Sequence, residues 1–241
     1  MINSDCFLIE LSLKKECIDS YKEYPFSLPA VRNLEEIQFH PAVTFIVGEN
    51  GSGKSTLLEA LAIAMGFNSE GGSRNFAFET KATHSVLHEY LRVTKGYKRL
   101  KNGYFLRAET FYNLATNIDD IKVVDSYGGR SLHCQSHGEG FMSLFQNRFG
   151  GQGLYIIDEP EAALSPSRQL AFISRLHDLV KEEAQLVIAT HSPIIMGYSH
   201  AKVIQLSEAG YSEVSYKGTE QYKLSKDFFN APERFLKHLL S

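Results

Sequence analysis

The chain contains little cysteine, no surplus of positive charge and no long apolar run. It has 241 residues and three cysteines, Cys6, Cys17 and Cys134, which follow neither a disulfide nor a metal-ligand spacing. This usage favours free thiols in a reducing compartment, so we expect a cytoplasmic protein. The formal net charge of -3 excludes a globally basic protein, and any contact with nucleic acid would need a local basic patch.

Membrane insertion and export are not indicated either. No apolar stretch approaches the roughly 20 residues that a membrane-spanning helix needs. Residues 1–5 lack the basic start and apolar core of a signal peptide. The sequence is 43% hydrophobic and 22% charged, which is ordinary for a globular protein. We therefore expect one α/β domain over residues 1–241 that does not itself enter a membrane.

A glycine-rich loop is the most informative segment that is present. Residues 48–56 read Gly-Glu-Asn-Gly-Ser-Gly-Lys-Ser-Thr. They follow the apolar run 43–47 and precede the Leu- and Ala-rich segment 57–64, so the loop joins a predicted strand to a predicted helix. In this setting backbone N–H groups at the helix N-terminus cradle phosphates, a lysine reaches the β- and γ-phosphates, and a hydroxyl faces Mg²⁺.

The loop therefore predicts a site for a nucleoside triphosphate and Mg²⁺. The predicted phosphate contacts are Asn50, Gly51, Ser52, Gly53, Lys54, Ser55 and Thr56. Lys54 is also expected to be catalytic, because its charge neutralises the transferred phosphoryl group, and Ser55 is expected to hold the metal.

Two further predicted strands end in polar residues. The apolar run 154–157 is followed by Asp158 and Glu159, and the apolar run 185–190 is followed by His191. An acidic residue at the end of a buried strand beside a phosphate-binding loop can hold Mg²⁺, which we assign to Asp158. We expect Glu159 to orient and deprotonate the attacking water and His191 to contact the γ-phosphate, so both are predicted catalytic residues.

A short Ser-Gly segment precedes these strand ends. Ser136, Gly138 and Glu139 should lie at the start of a helix, where a hydroxyl and backbone amides form an anion site without a phosphate loop. Such turns are common, so the segment is informative only in combination with the others.

In this order the four segments resemble the ABC-type ATPase superfamily over residues 31–207. The matching motifs are the Walker A loop at 48–55, the signature at 136–139, the Walker B strand ending at 158–159, the D-loop at 163–165 and the switch histidine at 191. The resemblance implies a P-loop NTPase fold with a mostly parallel central sheet, an N-terminal antiparallel β subdomain and a small helical lobe at about residues 108–150. It also implies that two copies enclose two ATP molecules, each between the Walker A loop of one copy and Ser136 of the other.

Details of the sequence lean towards one branch of the superfamily. Residues 31–34, Val-Arg-Asn-Leu, are similar to the opening of RecF, SMC and related DNA-repair or defence ATPases, and Arg32 is an expected nucleotide contact. Residues 158–164 and 189–193 resemble the corresponding segments of OLD-like ATPases. Only 26 residues separate Glu109 from Ser136, which is too few for the long coiled coil of an SMC protein and is a small lobe for a transporter. The resemblance implies an ATP-dependent switch in DNA metabolism or phage defence, with DNA, RNA or an effector protein as expected partners.

Three residues depart from the family pattern. His137 replaces the first signature glycine, Glu109 stands where the Q-loop glutamine is expected, and Ser165 replaces the D-loop aspartate. A carboxylate is a stronger metal ligand than an amide, so Glu109 is included among the expected metal ligands, although it would repel a γ-phosphate if left unpaired. Two alternatives therefore stay open: a module that binds ATP with little hydrolysis, and the nucleotide-binding subunit of a membrane transporter.

Weaker features have simpler interpretations. His133, Cys134 and His137 lie close together, but a fourth zinc ligand is missing. The basic stretch 95–101 fits either phosphate contacts or, more simply, a solvated hairpin.

Two other sets of residues are read as ordinary surface and core. His84 and His88 are read as a surface pair. The Phe228–Phe229 pair and the apolar residues of the predicted helix 232–240 are read as core packing rather than as a docking surface. The remaining predicted elements are strands at 6–13, 37–47, 103–107, 201–206 and 211–216 and helices at 83–92, 141–149 and 166–183.

Overall fold

Two β-sheets and the helices packed on them form the part of the chain that the structure, a computed structural model, describes. The described residues are 6–69, 71–72, 85–109, 111, 116, 135–207 and 210–240. Most of the predicted helical lobe, 108–150, therefore lies outside the described residues.

Every described strand except β4 lies on a segment that the sequence predicted as a strand. They are β1 (Leu8–Leu13), β2 (Glu36–Gln38), β3 (Val43–Val47), β4 (Leu91–Lys95), β5 (Asn102–Arg107), β6 (Gly153–Asp158), β7 (Gln185–Ala189), β8 (Ala201–Ser207) and β9 (Gly210–Val214). The larger sheet has six strands in the order β5-β6-β7-β3-β8-β9, and all neighbours are parallel except β8 and β9. Every residue of β3, β6 and β7 is buried, as expected of parallel strands covered on both faces.

The smaller sheet is the predicted antiparallel N-terminal unit. Its order is β2-β1-β4, with β1 in the middle and antiparallel to both neighbours. The run 37–47, predicted as one strand, is divided between the two sheets because the chain leaves β2 and enters β3 after four residues.

Helices cover both faces of the larger sheet. They are α1 (Pro29–Arg32), α2 (Lys54–Ala64), α3 (His137–Arg148), α4 (Pro166–Lys181), α5 (Glu220–Asn230) and α6 (Pro232–Leu239), and 3₁₀ turns lie at Lys15–Cys17, Val86–Tyr90, Pro160–Ala162, Ile195–Gly197 and Tyr216–Gly218. Helix α3 begins four residues earlier than the predicted 141, because Ser136 and Glu139 form a capping box at its start.

The two faces of the larger sheet carry separate cores. On one face α3 and α4 pack on the sheet through aromatic rings, with ring centroids 4.4 Å apart for Phe145 and Phe172 and 4.2 Å apart for Phe149 and Tyr155. On the other face α2 is enclosed between the larger sheet and the smaller one. The helix that follows the glycine-rich loop is therefore fixed on two sides.

One buried amide joins the two sheets. Gln185, 1% exposed at the start of β7, accepts hydrogen bonds from the Phe7 and Leu8 backbone N–H groups and donates to the Leu8 and His40 carbonyls. All hydrogen-bond partners of this side chain are backbone groups of the N-terminal segment. Gln185 therefore fixes the position of the smaller sheet relative to the larger one.

Two predictions about the middle of the chain were wrong. The predicted helix 83–92 is a 3₁₀ turn capped by Ser85 and then β4, because residues 91–95 pair with the distant strand β1. The basic stretch 95–101 is not a hairpin, since β4 and β5 on either side of it belong to different sheets. Its charges are partly engaged, with Lys98 3.6 Å from Glu183 and Lys95 donating to the Ala64 carbonyl.

The core-packing interpretation of the C-terminal apolar residues was also wrong. Phe229 is 77% exposed and Leu239 74% exposed, and α5, which the sequence pattern did not predict, has no buried residue. Helices α5 and α6 lie against each other at the end of the chain and not in either core.

The role of Gln185 generates a stability prediction. Gln185→Leu keeps the volume but leaves two buried N–H groups and two buried carbonyls without their partner, so the free energy of unfolding should fall by about 3 kcal/mol or more. Urea unfolding measures the loss. Gln38→Leu, at an exposed glutamine of the smaller sheet, is the control and should change stability by less than about 0.5 kcal/mol. Equal effects of the two substitutions would contradict the assignment.

Candidate nucleotide and magnesium site

Helix α2 begins without a side-chain cap. Its first residue follows Gly53, no side chain accepts a hydrogen bond from its first turn, and that turn contains no acidic residue. By contrast α4 and α5 begin at Ser165 and Thr219, whose hydroxyls accept from backbone N–H groups, and α3 begins at the capping box of Ser136 and Glu139. The free N–H groups and the positive end of the helix dipole are what a phosphate would bind.

The loop conformation requires glycine at two positions. Gly51 and Gly53 have φ angles of 75° and 95°, in the left-handed region that other residues rarely adopt. A Cβ at Gly51 would meet nothing within 4 Å, so the loop faces open space there. The loop is held from behind by α1, because the Ala30 N–H donates to the Ser52 carbonyl at 2.8 Å.

Lys54 closes the loop on itself. Its ammonium donates to the carbonyls of Gly48 and Glu49 at 2.9 and 2.7 Å, and the residue is only 4% exposed. Burial lowers the pKa of Lys54, and the nearby carboxylates of Glu159 and Asp158 oppose this shift. The ammonium thus lies over the glycine-rich loop and is hydrogen-bonded to two carbonyls of the loop itself.

Asp158 meets the loop helix at the predicted metal position. The Ser55 hydroxyl donates to Asp158 Oδ1 at 3.2 Å, although the two residues are 103 positions apart in the chain. Burial raises the pKa of Asp158 to about 6, and the guanidinium of Arg107 and the Ser55 hydrogen bond oppose that rise. A hydroxyl and a carboxylate at hydrogen-bonding distance beside an uncapped helix end are a donor set that Mg²⁺ prefers, so these residues fit a magnesium ion.

Glu159 and His191 face each other beside this position. Glu159 has a left-handed backbone (φ 49°), its N–H donates to the Ala189 carbonyl, and its Oε1 lies 3.6 Å from His191 Nε2. Burial, and after it the charge of Lys54, lowers the pKa of His191. His191 Nε2 is buried without a hydrogen-bond partner among the described residues. The ring therefore has a nitrogen available for a ligand.

Sequence reasoning missed the residues that hold His191 in place. Glu161 accepts from the Thr190 hydroxyl at 2.7 Å and from the His191 N–H, so one carboxylate fixes the loop after β7. Ser192 donates to Gln169 at 2.6 Å, and Gln169 donates to the Leu164 carbonyl next to the D-loop serine. Glu161 lies two residues after Glu159, and Gln169 lies one helical turn after the Ser165 cap, but neither spacing reveals these long-range bonds.

The signature segment is occupied by partners of its own copy. The Ser136 hydroxyl donates to Glu139 at 2.7 Å, and Arg168 on α4 donates to both Ser136 and Glu139 at 3.2 and 3.0 Å. A Cβ at Gly138 would come within 2.8 Å of the Ala163 backbone carbonyl oxygen, so glycine is needed there. The exposed ring of His137 lies edge-on to Phe111.

The other predicted site residues lie at the margins. Arg32 is exposed on α1, the short helix that holds the loop, and Glu109 is 74% exposed with its carboxylate 3.7 Å from Arg107. Asn50 and Ser52 line a groove of about 530 Å³ that also reaches Leu206 and Glu220. The first turn of α2 contains Thr56, which is half-buried.

The weaker metal hypotheses gain no support. His133, Cys134 and His84 lie outside the described residues, and within the described ranges no cluster of three His, Cys, Asp or Glu side chains could hold a metal ion. Across the same described ranges, no helix combines the length and apolar character needed to cross a membrane.

The parallel sheet, the glycine-rich loop on β3 and the acidic end of β6 define a P-loop NTPase. Residues 20–192 match the family model described as AAA domain, so the chain belongs to this family. The resemblance to the ABC-type ATPase superfamily is confirmed.

Individual relatives are distant. The chain is 26% identical over 227 residues to an uncharacterised ABC transporter ATP-binding protein of Haemophilus influenzae, covering 86% of this chain and 84% of the relative. It is similar to the SMC head domain from Thermotoga maritima (16% identity, 86% and 98% covered, TM-score 0.45). It is also similar to cbiO1 of the ABC transporter complex cbiONQ from Clostridium perfringens (18% identity, 86% and 90% covered, TM-score 0.47).

The buried charge of Asp158 generates a pH-dependent prediction. The pKa of Asp158 in the folded protein, about 6, lies above the ordinary value of 3.8. Protonated Asp158 therefore contributes fully to the free energy of unfolding below pH 3.8, and this contribution is lost as pH rises through about 6. Asp158→Asn should therefore raise the free energy of unfolding of the nucleotide-free protein at pH 7.5 by up to about 3 kcal/mol. Urea unfolding should show that the difference in free energy of unfolding between Asp158→Asn and wild type becomes smaller as pH falls from about 7.5 to 5.

The control for this prediction is Asp178→Asn on the exposed face of α4, which should leave stability nearly unchanged at both pH values. A gap between Asp158→Asn and wild type that stays constant with pH would show that the buried carboxylate does not carry the effect.

Proposed function

We propose that the protein is a Mg²⁺-dependent ATPase that works as a homodimer with ATP enclosed between two copies. The observation that carries this proposal is the contact between Ser55 and Asp158 beside the uncapped start of α2. It places a hydroxyl, a carboxylate and free backbone N–H groups around one point, with the Lys54 ammonium over the loop.

Each residue near this point has a chemical role in phosphoryl transfer to water. Lys54 moves from the Gly48 and Glu49 carbonyls to the β- and γ-phosphates and neutralises charge there. Ser55 and Asp158 hold the magnesium ion, which lowers the charge on the phosphate oxygens when it is bound. Glu159 orients the attacking water and takes its proton, and His191 Nε2 donates a hydrogen bond to the γ-phosphate.

The contacts of the signature segment support the proposal of a second copy. The described hydrogen bonds and ion pairs of Ser136 and Glu139 connect to each other and to Arg168, and none of them reaches the glycine-rich loop. In the proposed dimer this helix start faces the nucleotide of the other copy, and the contacts of Ser136 with Glu139 and Arg168 open to admit it.

Hydrogen bonds also connect the proposed nucleotide site to the surface that would face the other copy. The bonds from Glu161 to His191 and from Ser192 through Gln169 to Leu164 connect the γ-phosphate position to the D-loop segment beside α4. The same helix carries Arg168, which contacts the signature. A change at His191 on loss of the γ-phosphate can therefore alter the surface that faces the other copy, which is the two-state element of the proposed switch.

The proposed biological setting is DNA metabolism or phage defence, with DNA, RNA or an effector protein as partner. It is supported by the RecF- and OLD-like motifs at 31–34 and 158–164 and by the short span between Glu109 and Ser136. A transporter subunit is the second candidate, and the similarity to an ABC transporter ATP-binding protein of Haemophilus influenzae favours it. The carboxylate at Glu109 and the ring at His137 favour a third candidate, an ATP-binding module with slow hydrolysis.

Glu159→Gln tests the hydrolysis mechanism and the dimer together. The variant keeps Lys54, Ser55 and Asp158, so it should bind Mg-ATP like wild type. Without a base for the attacking water its turnover should fall by about 100-fold or more, and it should accumulate as a dimer in light scattering. Phosphate release and nucleotide binding are measured on the same samples.

Two controls define the outcomes for Glu159→Gln. Glu35→Gln, at an exposed carboxylate on the smaller-sheet side, should leave both rate and mass unchanged. Lys54→Ala should lose ATP binding, and unchanged affinity would refute the assigned loop. A Glu159→Gln protein that stays monomeric with saturating Mg-ATP would contradict the enclosed-nucleotide dimer.

Nucleic-acid dependence separates the proposed settings. If DNA or RNA is a partner, it should raise the ATPase rate of wild type severalfold. The double variant Arg99→Ala with Lys101→Ala should reduce that stimulation, because both side chains are exposed in the basic stretch 95–101. Lys223→Ala with Lys226→Ala on α5 removes the same charge elsewhere and should not. A rate indifferent to nucleic acid would contradict this partner and favour a protein regulator.

A further inference from the structure

Arg107, the last residue of β5, lies in the middle of a group of carboxylates. Its NH1 is 2.8 Å from Glu59 on α2, its NH2 is 3.7 Å from Glu109, and its Nε is 3.4 Å from Asp158 Oδ2. The Arg107 and Glu59 side chains are both only 17% exposed, and that of Asp158 is 5% exposed. No sequence motif singled out this arginine.

The two oxygens of Asp158 are divided between two partners. Oδ1 accepts from the Ser55 hydroxyl, and Oδ2 faces the Arg107 guanidinium. The Nε–H group that faces Asp158 is buried and makes no hydrogen bond within the described residues. Arg107 therefore supplies charge to Asp158 without a well-formed hydrogen bond, whereas its strong bond is the one to Glu59.

We propose that Arg107 is a positioning residue that provides the positive charge for the metal-site carboxylates when no nucleotide is bound, and thereby keeps divalent cations from binding there alone. The inference rests on the proposed function, because it uses Ser55 and Asp158 as metal ligands. The proposal implies an order of binding. Mg²⁺ binds only together with the triphosphate, because the negative charge of the triphosphate compensates for the positive charge of the Arg107 guanidinium.

The arrangement of neighbours favours this role over a purely structural ion pair. A structural pair between β5 and α2 would need only Glu59. Here the same guanidinium also faces Asp158 and Glu109, the two carboxylates that the sequence analysis assigned to the metal. A fixed cation 3.4 Å from a ligand oxygen lowers the affinity of that oxygen for a second cation.

The test measures cation binding without nucleotide. Mn²⁺ is added to nucleotide-stripped protein, and free Mn²⁺ is followed by electron paramagnetic resonance. Wild type should bind Mn²⁺ weakly at this site, and Arg107→Gln should bind it at least about tenfold more tightly. Asp158→Asn in the Arg107→Gln background should remove the gain, because it removes the ligand that the arginine neutralises.

Matched variants separate charge from structure. Glu59→Gln breaks the same 2.8 Å ion pair but leaves the cation beside Asp158, so its Mn²⁺ affinity should stay near wild type. Arg107→Lys retains the charge without the guanidinium fork and should also stay near wild type. If Arg107→Gln fails to fold, Glu59→Gln with Arg107→Gln removes both members of the pair and should show the gain instead.

The outcomes distinguish the inference from the proposed function. Mn²⁺ affinity of Arg107→Gln within about twofold of wild type, or an equal gain in Glu59→Gln, would overturn the role of Arg107. Those results would leave the proposed function intact provided that wild type binds Mg-ATP. Failure of wild type to bind Mg-ATP would instead refute the proposed function itself.

Discussion

The buried carboxylate of Asp158 is the constraint on which the site depends. A charge with 4% exposure is costly unless it is hydrogen-bonded and paired, and here one oxygen has the Ser55 hydroxyl and the other the Arg107 guanidinium. Parallel pairing brings the ends of β3 and β6 to one edge of the sheet, with β7 between them. The first turn of α2 spans this gap, so the position of α2 between the two sheets sets the distance from Ser55 to Asp158.

Strand β7 couples the two halves of the site. Its Ala189 carbonyl accepts from the Glu159 N–H, and the residues that follow it are held by Glu161. Glu159, beside the proposed metal position, and His191, beside the proposed γ-phosphate position, are therefore fixed to the same short segment. At the other end of β7, Gln185 ties this strand to the N-terminal segment. The five residues of β7 thus connect the smaller sheet to the segment that holds Glu159 and His191.

The parts of the molecule that the sequence predicted are those with a local signal. The loop at 48–56, the acidic end of 154–158 and the buried strands have patterns that depend on neighbouring residues only. The segments 83–92 and 95–101 were misread because their structure is set by pairing with β1 and by a crossover between sheets. Arg107 and Glu161 were missed for the same reason, since a charge at a strand end or in a turn is ordinary until its distant partners are known. The C-terminal apolar residues were wrongly predicted to be buried, because an apolar stripe on a helix does not by itself indicate burial.

The charge balance gives a reason for the unusual residue at the Q-loop position. Glu109 in place of an amide adds a negative charge near a site that must receive a polyanion, and alone it would weaken nucleotide binding. Arg107 lies two residues earlier, with its guanidinium 3.7 Å from Glu109 and 3.4 Å from Asp158. The two residues compensate each other, since the arginine offsets the extra carboxylate and the carboxylates keep the arginine in place. Because the Glu109 side chain is 74% exposed, its pair with Arg107 is weaker than the buried 2.8 Å pair of Arg107 with Glu59, so the arginine offsets the charge of Glu109 while Glu59 holds the guanidinium in place.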